Sequence, residues 1–227
     1  MQGVDLKHSI ITTNKFNEAA EFIHYIWTND LNLIPQELRD IKGVEVRLIS
    51  ELASFRLFKE ISLSSNIKES SSKPGNIIRI ILLREFGGIY HDLDYYLFSP
   101  KQLVRITKAF NLIAGEESEN EYYYIGNAFI ASAPNHPVMQ EASNLIERNL
   151  NNSFSHPEYI QYSYNLFSNH LFKTGPSMLT IAYYKEQNKN GNNDILLPHL
   201  FYIIVITYGL LNQNLKLIIK LLTFLPL

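Results

Sequence analysis

The sequence predicts an α/β fold, on three observations. Short runs rich in β-branched and aromatic residues recur at 22–27, 44–49, 89–94, 112–115 and 124–132. Segments of helical pattern lie between them, at 35–42, 53–61, 74–85, 101–109 and 138–148. The chain is long enough, at 227 residues, and apolar enough, at 46% hydrophobic, to build one large domain around a sizeable core.

In order, residues 14–21 are polar and lead into Phe22-Ile23-His24-Tyr25-Ile26-Trp27, which stops at the turn cluster Thr28-Asn29-Asp30. Alternation puts Ile23, Tyr25 and Trp27 on one face of this first strand. Pro35 suits the first turn of a helix that Gly43 stops, and Val44 to Ile49 then alternates as a second strand. A helix over 53–61 precedes a serine-rich stretch, 62–73, which reads as a solvated connector or as a mobile lid. The helix that follows ends at Gly87-Gly88, a pair that allows a tight reversal without strain.

Pro100 ends the extension of the 89–94 strand, and a short helix and strand lead to Glu116–Glu121, expected as an acidic solvated loop. Strand 124–132 runs through the turn Ala133-Pro134-Asn135-His136-Pro137 into the 138–148 helix. Residues 151–168 are polar and aromatic, with Tyr159, Tyr162 and Tyr164, and are the expected place for a substrate to dock. Residues 195–211 and 215–227 are strongly apolar, each shorter than the roughly 20 residues of a membrane span. They are expected as a buried or interfacial segment, and residues 203–227 as an apolar tail, divergent or truncated, on a domain of residues 1–202.

Composition removes several function classes. A net charge of −2 and a pI near 6.4 give no global basic field for nucleic acid. With no cysteine, disulfides and thiolate metal sites are excluded, which is compatible with a reducing compartment. The first residues lack the charged start and long apolar core of a secretory signal.

The chemistry concentrates in Arg79 to Asp94, R-I-I-L-L-R-E-F-G-G-I-Y-H-D-L-D. Arg79 lies in an apolar helical run and needs a partner. Along the strand Asp92 and Asp94 project to one side and Leu93 to the other. Two carboxylates on one face repel unless a cation or proton lies between them. A hard divalent ion with oxygen ligands is the natural partner, and would in turn bind phosphate.

The run R-x3-L-x3-G-G-I-Y-x-D-x-D, formed by Arg79, Leu83, Gly87, Gly88, Ile89, Tyr90, Asp92 and Asp94, resembles the DXD glycosyltransferases with a sugar-binding region. This grouping, similar to glycosyltransferase family 32, takes in initiating mannosyltransferases, bacterial capsule and effector transferases, and the catalytic domains of large clostridial glucosylating toxins. Three further stretches carry the resemblance: I-H-Y-I-W ending at Trp27, N-x-F-x-x-S-x-x-x-H-P from Asn127 to Pro137, and Thr174-Gly175-Pro176. The resemblance implies a GT-A-like, Rossmann-type nucleotide-sugar domain with a mixed central sheet flanked by helices. It implies Mn2+ or Mg2+ on Asp92 and Asp94, a UDP- or GDP-linked hexose donor held by Trp27, Asn76, Arg79, Tyr90, Asp92 and Asn127, and a protein or glycan acceptor. It further implies catalytic roles for Asp92, Asp94 and Arg79, and retention of anomeric configuration.

Trp27 fits either the core or a place beside the nucleotide base, and His136 reads as structural. The chain departs from the family pattern at Gly75-Asn76, where a serine-aspartate pair is usual, and shows no closing loop near its end. The competing function is a catalytically impaired module that binds nucleotide sugar, or a membrane through the apolar tail. Aspartyl-phosphate phosphatases also open on apolar-D-x-D, but need Thr or Val where this chain has Tyr95-Tyr96. The expected setting is cytoplasmic or, for an effector, a host cell.

Overall fold

The computed structural model describes residues 10–11, 22–54, 73–92, 95–97, 100–119, 122–150, 174–198, 206–208 and 220–224. Its strands are β1 (Ile23–Thr28), β2 (Val44–Leu48), β3 (Gly88–His91), β4 (Tyr95–Leu97), β5 (Leu112–Glu119), β6 (Tyr122–Ser132), β7 (Asp194–Leu197), β8 (Ile206–Tyr208) and β9 (Lys220–Phe224). Its α-helices are α1 (Gln36–Arg39), α2 (Lys73–Phe86), α3 (Pro100–Ala109), α4 (Pro137–Leu150) and α5 (Pro176–Glu186). Seven strands form one sheet in the order β2-β1-β9-β3-β6-β5-β7, and β4 pairs with β8 in a second. The main sheet is mixed: β1, β2, β3, β5 and β7 run one way, β6 and β9 the other.

Alternation along the strands gives the sheet two apolar faces. One carries Trp27, Tyr90, Leu112, Ala114 and Ile130, packed under α2, α4 and α5. The other carries Phe22, Ile89, Ile113, Phe129 and Ala131 over Leu103 of α3. Helix α2 is buried from Asn76 to Leu83. A helix apolar almost all round belongs in the interior, so its few polar groups must find partners there.

The reversal after α2 is glycine-dependent. Gly87 has φ +67° and Gly88 φ +91°. Backbone hydrogen bonds from Gly87 N to Leu83 O at 3.0 Å and from Asn135 N to Arg84 O at 2.8 Å close the helix end against the β6–α4 turn.

Two expectations change. The acidic stretch from Glu116 is not a loop up to Glu119. It extends β5, with Glu116 opposite Ile125 and Glu119 opposite Tyr122. Tyrosines favour strands, and pairing across the hairpin carries their acidic partners along. Residues 203–227, set apart by sequence as a tail, contribute β8 and β9 instead of an appendage. β9 lies between β1 and β3, with Leu222 in register with both Tyr25 and Tyr90. A strand paired on both sides has its backbone groups committed to the sheet, so residues 220–224 are part of it, in keeping with the buried segment expected there. Among the described residues no helix is long and apolar enough to cross a membrane. Residues 53–54 are described but not as helix, and the rest of 53–61, the 62–72 stretch, and 151–173 lie outside the described residues.

His24 and His91, both fully buried, lie on the α3 side of the sheet. Burial, with the neighbouring His91 adding to it, pushes His24 down from 6.5 to about 4, and burial pushes His91 down as well. Both histidines are therefore neutral in the fold, while the unfolded chain protonates first as pH falls. Stability should hold above pH 6.5 and fall as pH drops toward 4. Thermal melts across that range are expected to show a Tm decline that His24→Phe flattens. An unchanged slope in the variant would remove His24 as the cause.

Candidate functional site

Arg79 organises the site, because a guanidinium only 4% exposed needs several acceptors at once. The i−4 carbonyl of its own helix is one: Nε donates to Gly75 O at 3.3 Å. Nη1 donates to the carbonyl of Asn127 on β6, and Nη2 lies 3.3 Å from Asp92 Oδ1. The guanidinium carbon lies 4.6 Å from the centre of the Tyr90 ring, so a cation–π contact supports it from the sheet. The Tyr90 hydroxyl donates to the same Asp92 Oδ1.

Asp92 leaves the end of β3, its backbone N–H on Ala128 O at 2.8 Å. Its side chain is 30% exposed whereas that of Arg79 is 5%. The carboxylate thus reaches solvent with a buried positive charge behind it. The position is the carboxyl end of β3 in an α/β sheet, where such folds place their ligands.

The third element is an irregularity in β6. Ala114 pairs with Ile130 but Glu116 pairs with Ile125, so Gly126-Asn127-Ala128 is surplus to the ladder. A bulge of this kind re-aims side chains and carbonyls out of the strand pattern. It turns the Asn127 carbonyl toward Arg79, and the Asn127 amide donates to Asn76 Oδ1 at 3.1 Å. Asn76 itself is 5% exposed. Sequence singled out Asn127 as a side chain; its backbone role was missed, although a glycine inside a strand pattern signals such a bulge.

The structure therefore brings Asn76, Arg79, Tyr90, Asp92 and Asn127 together, from α2, β3 and β6. Trp27 is separate. It is 2% exposed in the core under α2, its ring tilted 33° and 5.5 Å from that of Phe86, about two helical turns from Arg79. Its Nε1 is buried with no hydrogen-bond partner among the described residues. A ring in that position offers no open face for a base to stack on. Asp94 lies outside the described residues.

Other motif residues are structural in their contacts. His91 Nδ1 donates to the carbonyl of Asp92 at 3.0 Å, and Nε2 is buried without a partner among the described residues. His136 accepts the N–H of Val138 on Nδ1 at 3.2 Å, capping α4, and donates from Nε2 to Asp194 at 2.9 Å, tying α4 to β7. Burial, only partly offset by Asp194, keeps its pKa low. Gly175 caps α5 and Pro176 opens it. Thr180 then accepts the N–H of Ile125 at 2.9 Å, fixing α5 beside the bulge.

This arrangement pairs an oxygen ligand open to solvent with a fixed cation and two neutral amides, a set suited to a hard cation and a phosphorylated, hydroxyl-bearing ligand. The three acceptors of Arg79 lie in separate directions, which a single ammonium cannot reach. Arg79→Lys should weaken binding of such a ligand about tenfold or more, by calorimetry, with the fold retained.

A comparison with curated proteins finds no match. Among solved structures, the chain is similar to the PaToxG glycosyltransferase, with 18% identity and a TM-score of 0.56 over 82% of this chain and 65% of that one. A weaker likeness, with 13% identity and a TM-score of 0.46, joins 69% of the chain to 53% of the UDP-bound glycosyltransferase domain from the YGT toxin. The chain thus spans less than two thirds of either. The PaToxG likeness establishes a GT-A-like glycosyltransferase fold for the mixed sheet and its helices. The profile described as Capsular polysaccharide synthesis protein matches residues 70–201, more than half of the chain and the stretch that holds α2, β3 and the β6 bulge, and the chain belongs to that family.

Proposed function

We propose that this protein is a metal-dependent, retaining glycosyltransferase that moves a hexose from a UDP- or GDP-linked donor to a protein or glycan acceptor. The observation that carries the reading is the Asp92–Arg79 pair at the end of β3, a half-open carboxylate backed by a buried guanidinium and flanked by Asn76 and Asn127.

The donor chemistry at Asp92 fits a hard divalent cation: it is a carboxylate oxygen open to solvent in a chain without cysteine. Among the described residues no cluster of three His, Asp or Glu side chains forms a metal site, so the proposed ligands are Asp92 with Asp94, completed by oxygens of the donor diphosphate. When bound, Mn2+ or Mg2+ would supply charge that neutralises the departing nucleoside diphosphate. Arg79 holds Asp92 in place and adds positive charge where the leaving group develops negative charge. The amides of Asn76 and Asn127 orient sugar hydroxyls, each able to donate and accept. The acceptor hydroxyl attacks from the same face as the leaving group departs.

Titration calorimetry with UDP- and GDP-sugars in the presence of Mn2+, followed by assay of released nucleoside diphosphate, tests this directly. Metal-dependent binding with release supports the transferase. Binding without release would make it a nucleotide-sugar-binding module, a reading favoured by the neutral Asn76 in place of a carboxylate. No binding of any donor would overturn both.

A further inference from the structure

Gly126 is glycine for a reason that backbone conformation does not supply. Its φ is not among the positive values, which belong to Gly43, Gly87, Gly88 and Gly191. What occupies its Cβ position is the end of the Glu117 side chain. A Cβ at Gly126 would lie 2.2 Å from Glu117 Oε1, 2.5 Å from its Cδ and 2.8 Å from its Cγ. The carboxylate end of Glu117 lies directly on the backbone of the bulge, one residue from Asn127.

The bulge is held from its other side by three contacts already described: Arg79 Nη1 on Asn127 O, Asn76 on the Asn127 amide, and the Asp92 N–H on Ala128 O. These draw residues 127 and 128 toward α2 and β3. Glu117 is across the ladder, on β5, opposite Tyr124 and just past the register shift. Three surplus residues in a strand have many conformations; Thr180 anchors Ile125 at one end of the bulge, and Gly126 itself is met from the β5 side by Glu117. We propose that Glu117 is a positioning residue, whose carboxylate braces the Gly126 backbone from the β5 side and so fixes Asn127 and its carbonyl against Arg79. The glycine at 126 and the glutamate at 117 form one unit, and either is expected to fail without the other. This rests on the donor-site reading above, in which Asn127 and Arg79 face the nucleotide sugar.

Two measurements separate the brace from that reading. The first is a thermal double-mutant cycle. Gly126→Ala should lower Tm modestly in the wild-type background, where its Cβ pushes the flexible end of Glu117 aside, and leave Tm unchanged in a Glu117→Ala background. Additive Tm changes would show that the contact is not formed and would overturn the proposal. This arm needs no ligand. The second is donor binding in Mn2+, and in turnover a raised KM with kcat little changed. Glu117→Ala and Gly126→Ala should each weaken donor binding about tenfold, and the double variant no more than either alone. Glu117→Gln, which keeps the shape of the brace, should restore binding to within about threefold of wild type.

Coupled Tm values with wild-type donor binding in Glu117→Ala, while Asn127→Ala weakens it, would reduce Glu117 to a structural contact and overturn the positioning role. If wild type and Asn127→Ala alike bind no donor, the donor-site reading falls, and with it the role assigned to Glu117, leaving only the brace that the Tm cycle measures.

Discussion

Asp92→Asn is expected to lower nucleoside diphosphate release by about a hundredfold or more, with a melting temperature close to wild type. The two expectations come from different atoms. Asparagine keeps an oxygen that can accept from the Tyr90 hydroxyl and from Arg79, so the contacts that seat residue 92 survive. What it loses is the negative charge and oxygen basicity that a hard divalent cation requires. Because the side chain is already 30% exposed, the change leaves no unpaired group in a dry interior. Dependence on Mn2+ concentration should shift with it, since the metal site loses a ligand. A variant with undiminished release would remove Asp92 from the reaction, whereas a large loss of Tm would show the residue to be structural in the first place.

Gly87→Ala is expected to have the largest effect on stability, more than about 3 kcal/mol, or a fall in Tm on the order of 10 °C. Position 87 combines two obstacles. Its φ of +67° is strained for any residue with a Cβ. That Cβ would also meet Pro134 N at 2.6 Å, Pro134 Cδ at 2.7 Å and Ser132 O at 2.8 Å, mostly backbone and ring atoms that cannot swing away. Gly191 supplies the control. Its φ is +78°, but nothing lies within 4 Å of its Cβ position, so Gly191→Ala should cost only about 1 kcal/mol of conformational strain. Equal losses at the two positions, by denaturant melts, would show that packing at the α2–β3 reversal contributes nothing. Because α2 carries Arg79 and β3 ends at Asp92, a shift at Gly87 should also weaken donor binding.

Local pattern determined a good deal of this protein. The alternation of strand and helix signals set the α/β class, and the Gly87-Gly88 pair set the end of α2 and the start of β3, because each depends on backbone preferences that act within a few residues. Within the run from Arg79 to Asp94, the need of Arg79 and Asp92 for partners was also legible, since a charged residue in an apolar helix and a carboxylate at a strand end both need them, and the two pair with each other. Long-range pairing was not legible. Nothing in Lys220-Leu221-Leu222-Thr223-Phe224 says that it enters the sheet between β1 and β3, because a short apolar run fits many neighbours until the rest of the sheet fixes one. Trp27 could equally have been a core ring or a stacking surface, and only the packing of α2 over β1 decided for the core. Register decided the remainder. Three surplus residues in β6, counted only once β5 and β6 are paired, turn the Asn127 carbonyl to Arg79 and set Glu117 on Gly126; Gly126 signals a bulge, but its size and what it faces are properties of two strands.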